Sequence, residues 1–481
     1  MPNLYESGCR QMNYGFAKQQ HGTMRQRQGS SRFIPGILKN ALQHHRAGRL
    51  AEAEQLYWQI LAIDAQHADS LHLLGMIAYQ AGRHETAVEM IRGAIAINEK
   101  GASYHSNLGT VLQAQGKLDE AVASYQRALA LRPDLADVHT NLGNVLQAQD
   151  KLDEGVACHE RAVALKPELA EAHYNLGLAQ LLKGDFTSGW RNFERRWQSK
   201  DFVTPMRVYP QRLWKGENLA PGRLLIWGEQ GIGDEIMYAG LLPDVIRTGN
   251  RCVLDCDARL KPLFTRSFPG IDVVSSNNPE KNPELNISAH LPSGSLPSLF
   301  RTSHAAFGAT TSSYLIADPV ARERFRDSYR DGRQLVGLAW YTKNRSKGRY
   351  RSVDLSLFAS LFARSDIRWV SLQYGDHNEL ENQAAAAGAP LLVDRSVDQF
   401  SDVDLFAAQI AAMDMVVTVD NSTAHLAGAL GVPALVLLPF VSDWRWLQAR
   451  EDSPWYPTLR LFRQPKVGDW QSVMQRVKSA L

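Results

Sequence analysis

The sequence predicts an α + α/β chain, with an all-helical repeat array followed by an α/β region of two lobes. Three observations carry that prediction. Glycines recur every 34 residues through the first part, at Gly75, Gly109, Gly143 and Gly177. From residue 222 the apolar pattern changes to short strand-like runs separated by helical stretches. Two of those runs, 223–227 and 416–419, end in turns of glycine or helix-capping residues and lead directly into a helix. At 481 residues the chain is too long for one ordinary core, so two or three domains are expected.

The composition is that of a globular protein, 44% apolar and 21% charged, and the net charge of +3 is too small to argue for a nucleic-acid partner. The four cysteines, Cys9, Cys158, Cys252 and Cys256, show neither zinc spacing nor a disulfide framework. A reducing compartment, hence a cytoplasmic location, is the expectation. Cys252 and Cys256 lie four apart on a predicted strand and read as small core residues. No apolar run approaches the roughly 20 residues needed to span a membrane. Residues 1–33 carry Arg10, Lys18, Arg25, Arg27 and Arg32 against Glu6, with no apolar h-region. They are expected to be a basic, disordered tail and not a secretory signal.

Residues 34–203 read as the repeat array. Each 34-spaced glycine follows a leucine (Leu74, Leu108, Leu142, Leu176), and a second glycine recurs at Gly48, Gly82, Gly116 and Gly184. Ala53, Ala87 and Ala121 hold a third fixed position, and Pro133 and Pro167 close two units. A helix–turn–helix period of this length, with small residues where helices cross, is the signature of tetratricopeptide repeats. Tyr57, Tyr125 and Phe193 are expected to fill the grooves. Five units fit, at 34–67, 68–101, 102–135, 136–169 and 170–203. The first has Ala41 in the glycine's place, which suits an end cap. The fourth has Asp150 and Gly155 where glycine and alanine are expected. The last departs at Gly189-Trp190 and runs into Arg195-Arg196-Trp197, so its second helix is expected to dock on the α/β region.

Asn107, Asn141 and Asn175 recur just before Leu-Gly on the surface such arrays present to a peptide or protein. An amide offers donor and acceptor together, so it can pair with an extended backbone without reading its sequence. In this the array resembles the superhelix of eukaryotic O-GlcNAc transferase, where an asparagine ladder holds acceptor proteins. The competing reading is that asparagine is simply common there.

In the second part, strand-like runs appear at 223–227, 252–256 and 271–275, then a proline-bearing irregular segment over 276–300 (Pro279, Pro283, Pro292, Pro297). A second series comes next, at 335–340, 368–373, 390–393, 414–419 and 434–438. Alternating strand and helix implies parallel sheets. A charged joint near 318–333 divides the series into Rossmann-like lobes at 204–325 and 326–481, with a ligand expected between their carboxyl edges. In the first lobe, Leu224 to Trp227 runs into Gly228, Gly231 and Gly233, and Asp234 and Glu235 open a helix. Bare N–H groups at such a turn hold anions, while acids in a first helical turn are also favoured by the dipole alone. In the second lobe, Asp420-Asn421-Ser422-Thr423 comes after the strand, with His425 close behind in the same helix. All four are capping residues; the functional reading adds that they and His425 hold a diphosphate.

Together these motifs resemble the heptosyltransferase-like glycosyltransferase family nine, in the form found in bacterial proteins with tetratricopeptide repeats in front. The resemblance runs from about residue 185 to the C-terminus. It rests on Gly184-Asp185-Phe186 with Gly189-Trp190, on Gly228 to Glu235, on Asp420 to Gly428, and on Asp443-Trp444-Arg445-Trp446 with Ser453-Pro454-Trp455-Tyr456-Pro457. It implies a two-lobed GT-B fold with a nucleotide-activated sugar as donor substrate and neither metal nor cofactor. It also implies that Asp234 is the general base, although the adjacent Glu235, a departure from the family, competes for that role. Gly231 and Gly233 would give close backbone approach on the acceptor side. The leaving diphosphate would be stabilised by helix ends and by cations from the loop 341–352, Arg351 first and Lys343 next. Gln373 would meet the nucleotide's base or ribose. The aromatic tail block reads as core, with Arg445 the residue to watch.

A dehydrogenase is disfavoured, because the loop reads Gly-x-x-Gly-x-Gly and the second lobe has its own phosphate-type loop. The lack of Gly-Lys-Ser/Thr excludes a P-loop. The expected activity is sugar transfer to an acceptor hydroxyl, on a protein recruited by the repeats, such as a surface or flagellar protein. The alternatives are a glycolipid acceptor, or a scaffold whose transferase half does not turn over.

Overall fold

The computed structural model describes residues 32–275, 282–309, 313–343 and 348–481. The expected basic tail lies almost entirely outside the described residues, as do Asn344, Arg345, Ser346 and Lys347 of the basic loop and Pro279 of the irregular segment. The chain divides into two units, 1–146 and 147–481.

The first unit is helical: α1 (Ile34–Arg46), α2 (Leu50–Ile63), α3 (Ala68–Gln80), α4 (His84–Ile97), α5 (Ala102–Ala114), α6 (Leu118–Leu131) and most of α7 (Ala136–Ala148). Consecutive helices pack as antiparallel hairpins, and the recurrent small residues sit where they cross. A Cβ on Gly109 would lie 2.7 Å from the Tyr125 ring, and one on Gly75 would lie 2.7 Å from Ile91. Ala41, Ala53, Ala87, Ala121, Tyr57 and Tyr125 are fully buried. The turn glycines Gly48, Gly82 and Gly116 have φ of +74°, +74° and +75°, where a Cβ is costly.

The second unit begins with the remaining repeat helices, α8 (Leu152–Leu165), α9 (Ala170–Lys183) and α10 (Phe186–Phe193). Asp150, standing where the other repeats have a turn glycine, adopts φ +63°. Asp and Asn tolerate that region better than most residues. Helix α10 does not end freely. Trp190 donates from Nε1 to the Arg301 carbonyl at 2.8 Å and packs edge-on against Trp444, 5.3 Å between centroids. The unit therefore takes the last repeat into the α/β core.

Two parallel sheets complete the unit. The first has the order β1-β5-β2-β3-β4, from β1 (Arg212–Leu213), β2 (Arg223–Trp227), β3 (Arg251–Asp255), β4 (Ile271–Val274) and β5 (Ile287–Pro292). The second has the order β11-β10-β9-β6-β7-β8, from β6 (Gln334–Ala339), β7 (Ile367–Ser371), β8 (Leu391–Leu392), β9 (Met415–Val419), β10 (Ala434–Leu438) and β11 (Leu459–Arg463). One expectation is corrected here. The segment 276–300 is not irregular throughout, because β5 lies within it and pairs with β2; Pro292 ends the strand, where no further ladder donor is needed. The charged joint is a helix, α12 (Pro319–Tyr329), capped by Asp318 and anchored by Phe325 and Tyr329.

The longer helices of the sheet layers are α11 (Ile232–Ala239), α13 (His377–Ala386), α14 (Val403–Ala411), α15 (Ser422–Leu430) and α16 (Trp470–Ala480). In each sheet the strand order reverses once, between β2 and β5 in the first and between β6 and β9 in the second. Ligands of open parallel sheets lie outside the carboxyl ends at such switch points. The sheets are also joined directly. The Tyr314 and Leu315 amides both donate to the Ala429 carbonyl at 3.0 Å, and Arg266 pairs with Asp404.

Candidate functional site

At the first switch point β2 turns into α11 through Gly228 to Gly231. Gly231 is the N-cap, and its helix has no side-chain cap. The two acids that open the helix take different directions. Glu235 turns inward, accepts from the Asp257 amide at 3.0 Å, and fills the space that a Cβ on Gly228 would need. Burial pushes its carboxyl up to about 7. Asp234 faces the second sheet and pairs with Arg445. Gln230, at φ +68°, accepts from the same guanidinium at 3.1 Å.

At the second switch point, β9 turns into α15. Asn421 is the cap: its Oδ1 accepts from the Thr423 amide and the Thr418 hydroxyl, both at 3.0 Å. Asp420 pairs with Arg351 at 3.0 Å, and Arg351 pairs with Asp443 at 3.2 Å. Asp443 in turn pairs with Arg445. The result is a row of alternating charge, Asp234–Arg445–Asp443–Arg351–Asp420, that crosses from one sheet edge to the other. Its members have side-chain exposures of only 4–17%. The Arg445 guanidinium also lies over the Trp444 ring, 4.6 Å from its centroid. Sequence reasoning singled out Arg445 but missed Asp443 as its partner, since the signal there was the aromatic pattern.

Several expected ligand residues have other duties. Gln373 is fully buried. Its Oε1 accepts from the Trp340 and Tyr341 amides at 2.9 Å, and its Nε2 donates to the Tyr341 and Tyr374 carbonyls. It clamps two strand ends together and has no free amide to offer a base or ribose. Thr423 is likewise sealed inside, and its hydroxyl has no partner among the described residues. His425 is enclosed by Trp446, stacked at 5.3 Å, and by Tyr456, whose hydroxyl lies 2.9 Å from Nδ1. Burial brings its pKa down to about 4, so it is neutral near pH 7. Gly233 provides close approach, but to His425: a Cβ there would meet the ring at 3.0 Å. Around Gly231 the nearest such atom is Asp234 Oδ2 at 4.0 Å, leaving open space. Ser422 is half-buried at the start of α15. Lys343 is exposed, its Nζ 5.9 Å from the Tyr374 ring centroid.

One pair was not anticipated. Arg196, just after α10, and Glu229, in the β2–α11 turn, form an ion pair at 3.1 Å in which both side chains are fully buried. Arg196 also donates to Ser295 at 2.9 Å, next to the end of β5, and lies over the Phe193 and Trp197 rings. Burial pushes the Glu229 carboxyl up and Arg196 draws it back. The partners stand 33 apart on different elements, so no local motif announces them. Beside this turn opens a cleft of about 680 Å³, lined among others by Thr204, Arg207, Glu235, Asp255 and Asp257. Four of its lining residues are acids, Glu229, Glu235, Asp255 and Asp257, and three of them are paired with Arg196, Arg207 and Arg259, so the lining is polar with its charges largely matched.

For the repeat face, Asn107 is engaged: its Nδ2 lies 2.7 Å from His72 Nε2, so part of its amide holds the preceding repeat. Asn141 and Asn175 are both half-buried. Among the described residues, no group of three or more His, Cys, Asp or Glu side chains is placed to hold a metal ion. No helix among them is long and apolar enough to cross a membrane.

Comparison with known proteins reaches the repeats most clearly. A TPR repeat family matches residues 113–150 and 148–184, and a Tetratricopeptide repeat family matches 38–102. Protein FlbA of Caulobacter vibrioides is 30% identical over 320 residues, 63% of this chain. The chain spans about half, 53%, of that relative's length. Among solved structures, MamA is similar at 23% identity over 32% of this chain and 91% of its own, with a TM-score of 0.30. Pseudomonas aeruginosa PilF is similar at 16% over 46% and 87%, with a TM-score of 0.36. The N-terminal region is thus built of tetratricopeptide repeats, which support a protein-interaction role, in a chain with similarity to FlbA.

Proposed function

We propose that the second unit is a metal-independent glycosyltransferase of GT-B type, acting on an acceptor, most simply a protein, brought to it by the repeats. One observation carries this reading: a carboxylate from one sheet edge and two guanidiniums from the other meet between two topological switch points. A transfer reaction needs both chemistries within one site. The acceptor oxygen bonds to the anomeric carbon as the bond from that carbon to the phosphate oxygen breaks, and the leaving diphosphate takes the electron pair. The acceptor's proton goes to Asp234, which acts as general base. Arg351 and Arg445 stabilise the charge that develops on the diphosphate, with Ser422 at the start of α15 and Lys343 at the rim.

Two features favour Asp234 over Glu235 as base. Glu235 holds the Asp257 amide, whereas Asp234 meets the guanidinium of Arg445 from the second sheet. We assign the acceptor's entry to the cleft beside the β2–α11 turn, because Gln230, which shares Arg445 with Asp234, lines it.

The test is a thermal-shift panel of nucleotide sugars, followed by hydrolysis or transfer assays on any that bind. Asp234→Asn should lower turnover by about 10²–10⁴-fold with binding retained. A chain that binds no nucleotide sugar in a broad panel would sink the catalytic reading and leave the scaffold role of the repeats.

A further inference from the structure

The charged row between the sheets has three carboxylates and two guanidiniums, so it carries a surplus negative charge. A diphosphate that joins it competes with these carboxylates for the two guanidiniums. The three acids are not equally free to do so. Asp420 is 4% exposed and stands in the β9–α15 turn beside the Asn421 cap. Asp443 is held between both guanidiniums and caps the short 3-10 helix Trp444–Trp446. Asp234 comes from the other sheet and pairs through Nη2 of Arg445, a nitrogen that also serves Gln230. Arg445 also lies over the Trp444 ring, a contact that does not depend on which anion it faces.

We propose that Arg445 is shared: in the free chain it neutralises Asp234, and a diphosphate entering beside Arg351 takes it over and releases Asp234 as a free carboxylate. The base is therefore masked until the donor is seated, which orders binding with donor first and acceptor second. The biological consequence rests on the transferase reading; the competition between the two anions does not.

Inorganic pyrophosphate is the probe, titrated by calorimetry into the full chain, Asp234→Asn, and the double variant Asp234→Asn/Arg445→Gln. Removing the internal competitor should tighten pyrophosphate binding about 5- to 10-fold, the scale of a modest coupling between sites. The double variant leaves no unpaired aspartate, so it should fold, as unfolding curves would verify, and it should lose that gain. Equal affinity of wild type and Asp234→Asn, an unchanged gain in the double variant, or no pyrophosphate binding by any of the three would overturn the proposal. Tightening by Asp234→Asn in a chain that turns over no nucleotide sugar would uphold the competition and defeat the transferase reading. Turnover of a nucleotide sugar with unaltered pyrophosphate affinity would do the reverse.

Discussion

The β2–α11 and β9–α15 turns share one local plan, an apolar strand running into polar residues that start a helix, and each sets a carboxylate against a guanidinium, but they differ in how the helix is capped. In the second turn the side chains close on the backbone: Asn421 caps the helix, Thr423 is sealed, and Asp420 is paired with Arg351. In the first turn no side chain caps the helix, and Asp234 reaches across the gap. The expectation was a positive pole made by helix ends together with cations of the loop 341–352, Arg351 first. In the structure Arg351 and Arg445 come from the segments after β6 and β10, and each turn sets a carboxylate against one of them. A capping sequence says that a helix begins; which ligand its donors are free to take depends on whether a side chain already occupies them.

Breaking the anchor of the first turn should have the largest effect. Glu229→Ala leaves Arg196 fully buried with the half-exposed Glu194, 3.1 Å away, as its remaining carboxylate, and should cost up to about 3 kcal/mol in denaturant unfolding, the low end for a broken buried pair. Arg196→Met together with Glu229→Leu should be much milder, because both charges leave. If Glu229→Ala unfolds at the wild-type denaturant midpoint, the first turn is not held by this pair.

Packing separates the turns next. Gly428 of α15 faces the Tyr456 ring, where a Cβ would sit at 2.4 Å. Gly428→Ala should cost about 1–3 kcal/mol by overpacking. Gly233→Ala presses on His425 at 3.0 Å and should fall at the low end of that range. Gly231→Ala, with open space around it, should stay within about 0.5 kcal/mol of wild type. Equal costs at Gly231 and Gly233 would show that the helices do not meet as closely as described.

Much of this framework was legible in the sequence, and the failures have physical causes. The 34-residue glycine period, β2, β3, β9 and β10 announce themselves because each is a local pattern of small or apolar residues. Strand β5 was hidden by its flanking prolines, although Pro292 stands only at its end. Strand β11, Leu-Arg-Leu-Phe-Arg, was lost because it alternates with charge and lies directly behind an aromatic block. The site divided the same way. Asp234 and Arg351 were picked out by the resemblance, and Asp420 and Arg445 by their motifs, but their pairing with one another and through Asp443 was not legible. Asp443, Glu229 and Arg196 are defined by contacts between distant elements, and Gln373 looked free only because sequence does not show the two amides it receives.

The pH response tests the inward-facing acid. Glu235 is raised from the ordinary 4.5 to about 7 by burial. The folded chain therefore binds more protons than the unfolded one between those values, and this group's contribution falls as pH rises through that window. Glu235→Gln keeps an acceptor for the Asp257 amide and removes the titration. It should match wild type near pH 5 and exceed it by about 1–3 kcal/mol at pH 8. Parallel stability profiles from pH 5 to 8 would mean that Glu235 is not the buried member of the acidic pair.

The smallest effects concern the caps themselves. Asn421→Ala removes the acceptor for the Thr423 amide and the Thr418 hydroxyl, both inside the core, and should cost about 1–2 kcal/mol. Gly231 stands at the equivalent place in α11 with a similar extended backbone, φ −131° and ψ 170°, and no side chain to offer. Gly231→Ser should therefore gain a few tenths of a kcal/mol, the usual difference between glycine and serine at an N-cap. The two changes are opposite in sign because one removes a cap that exists and the other adds one that is missing. If the added hydroxyl instead destabilises the chain, the open space at Gly231 is needed for Asp234 to reach Arg445, and the missing cap is a requirement of the charged row and not an accident of the turn.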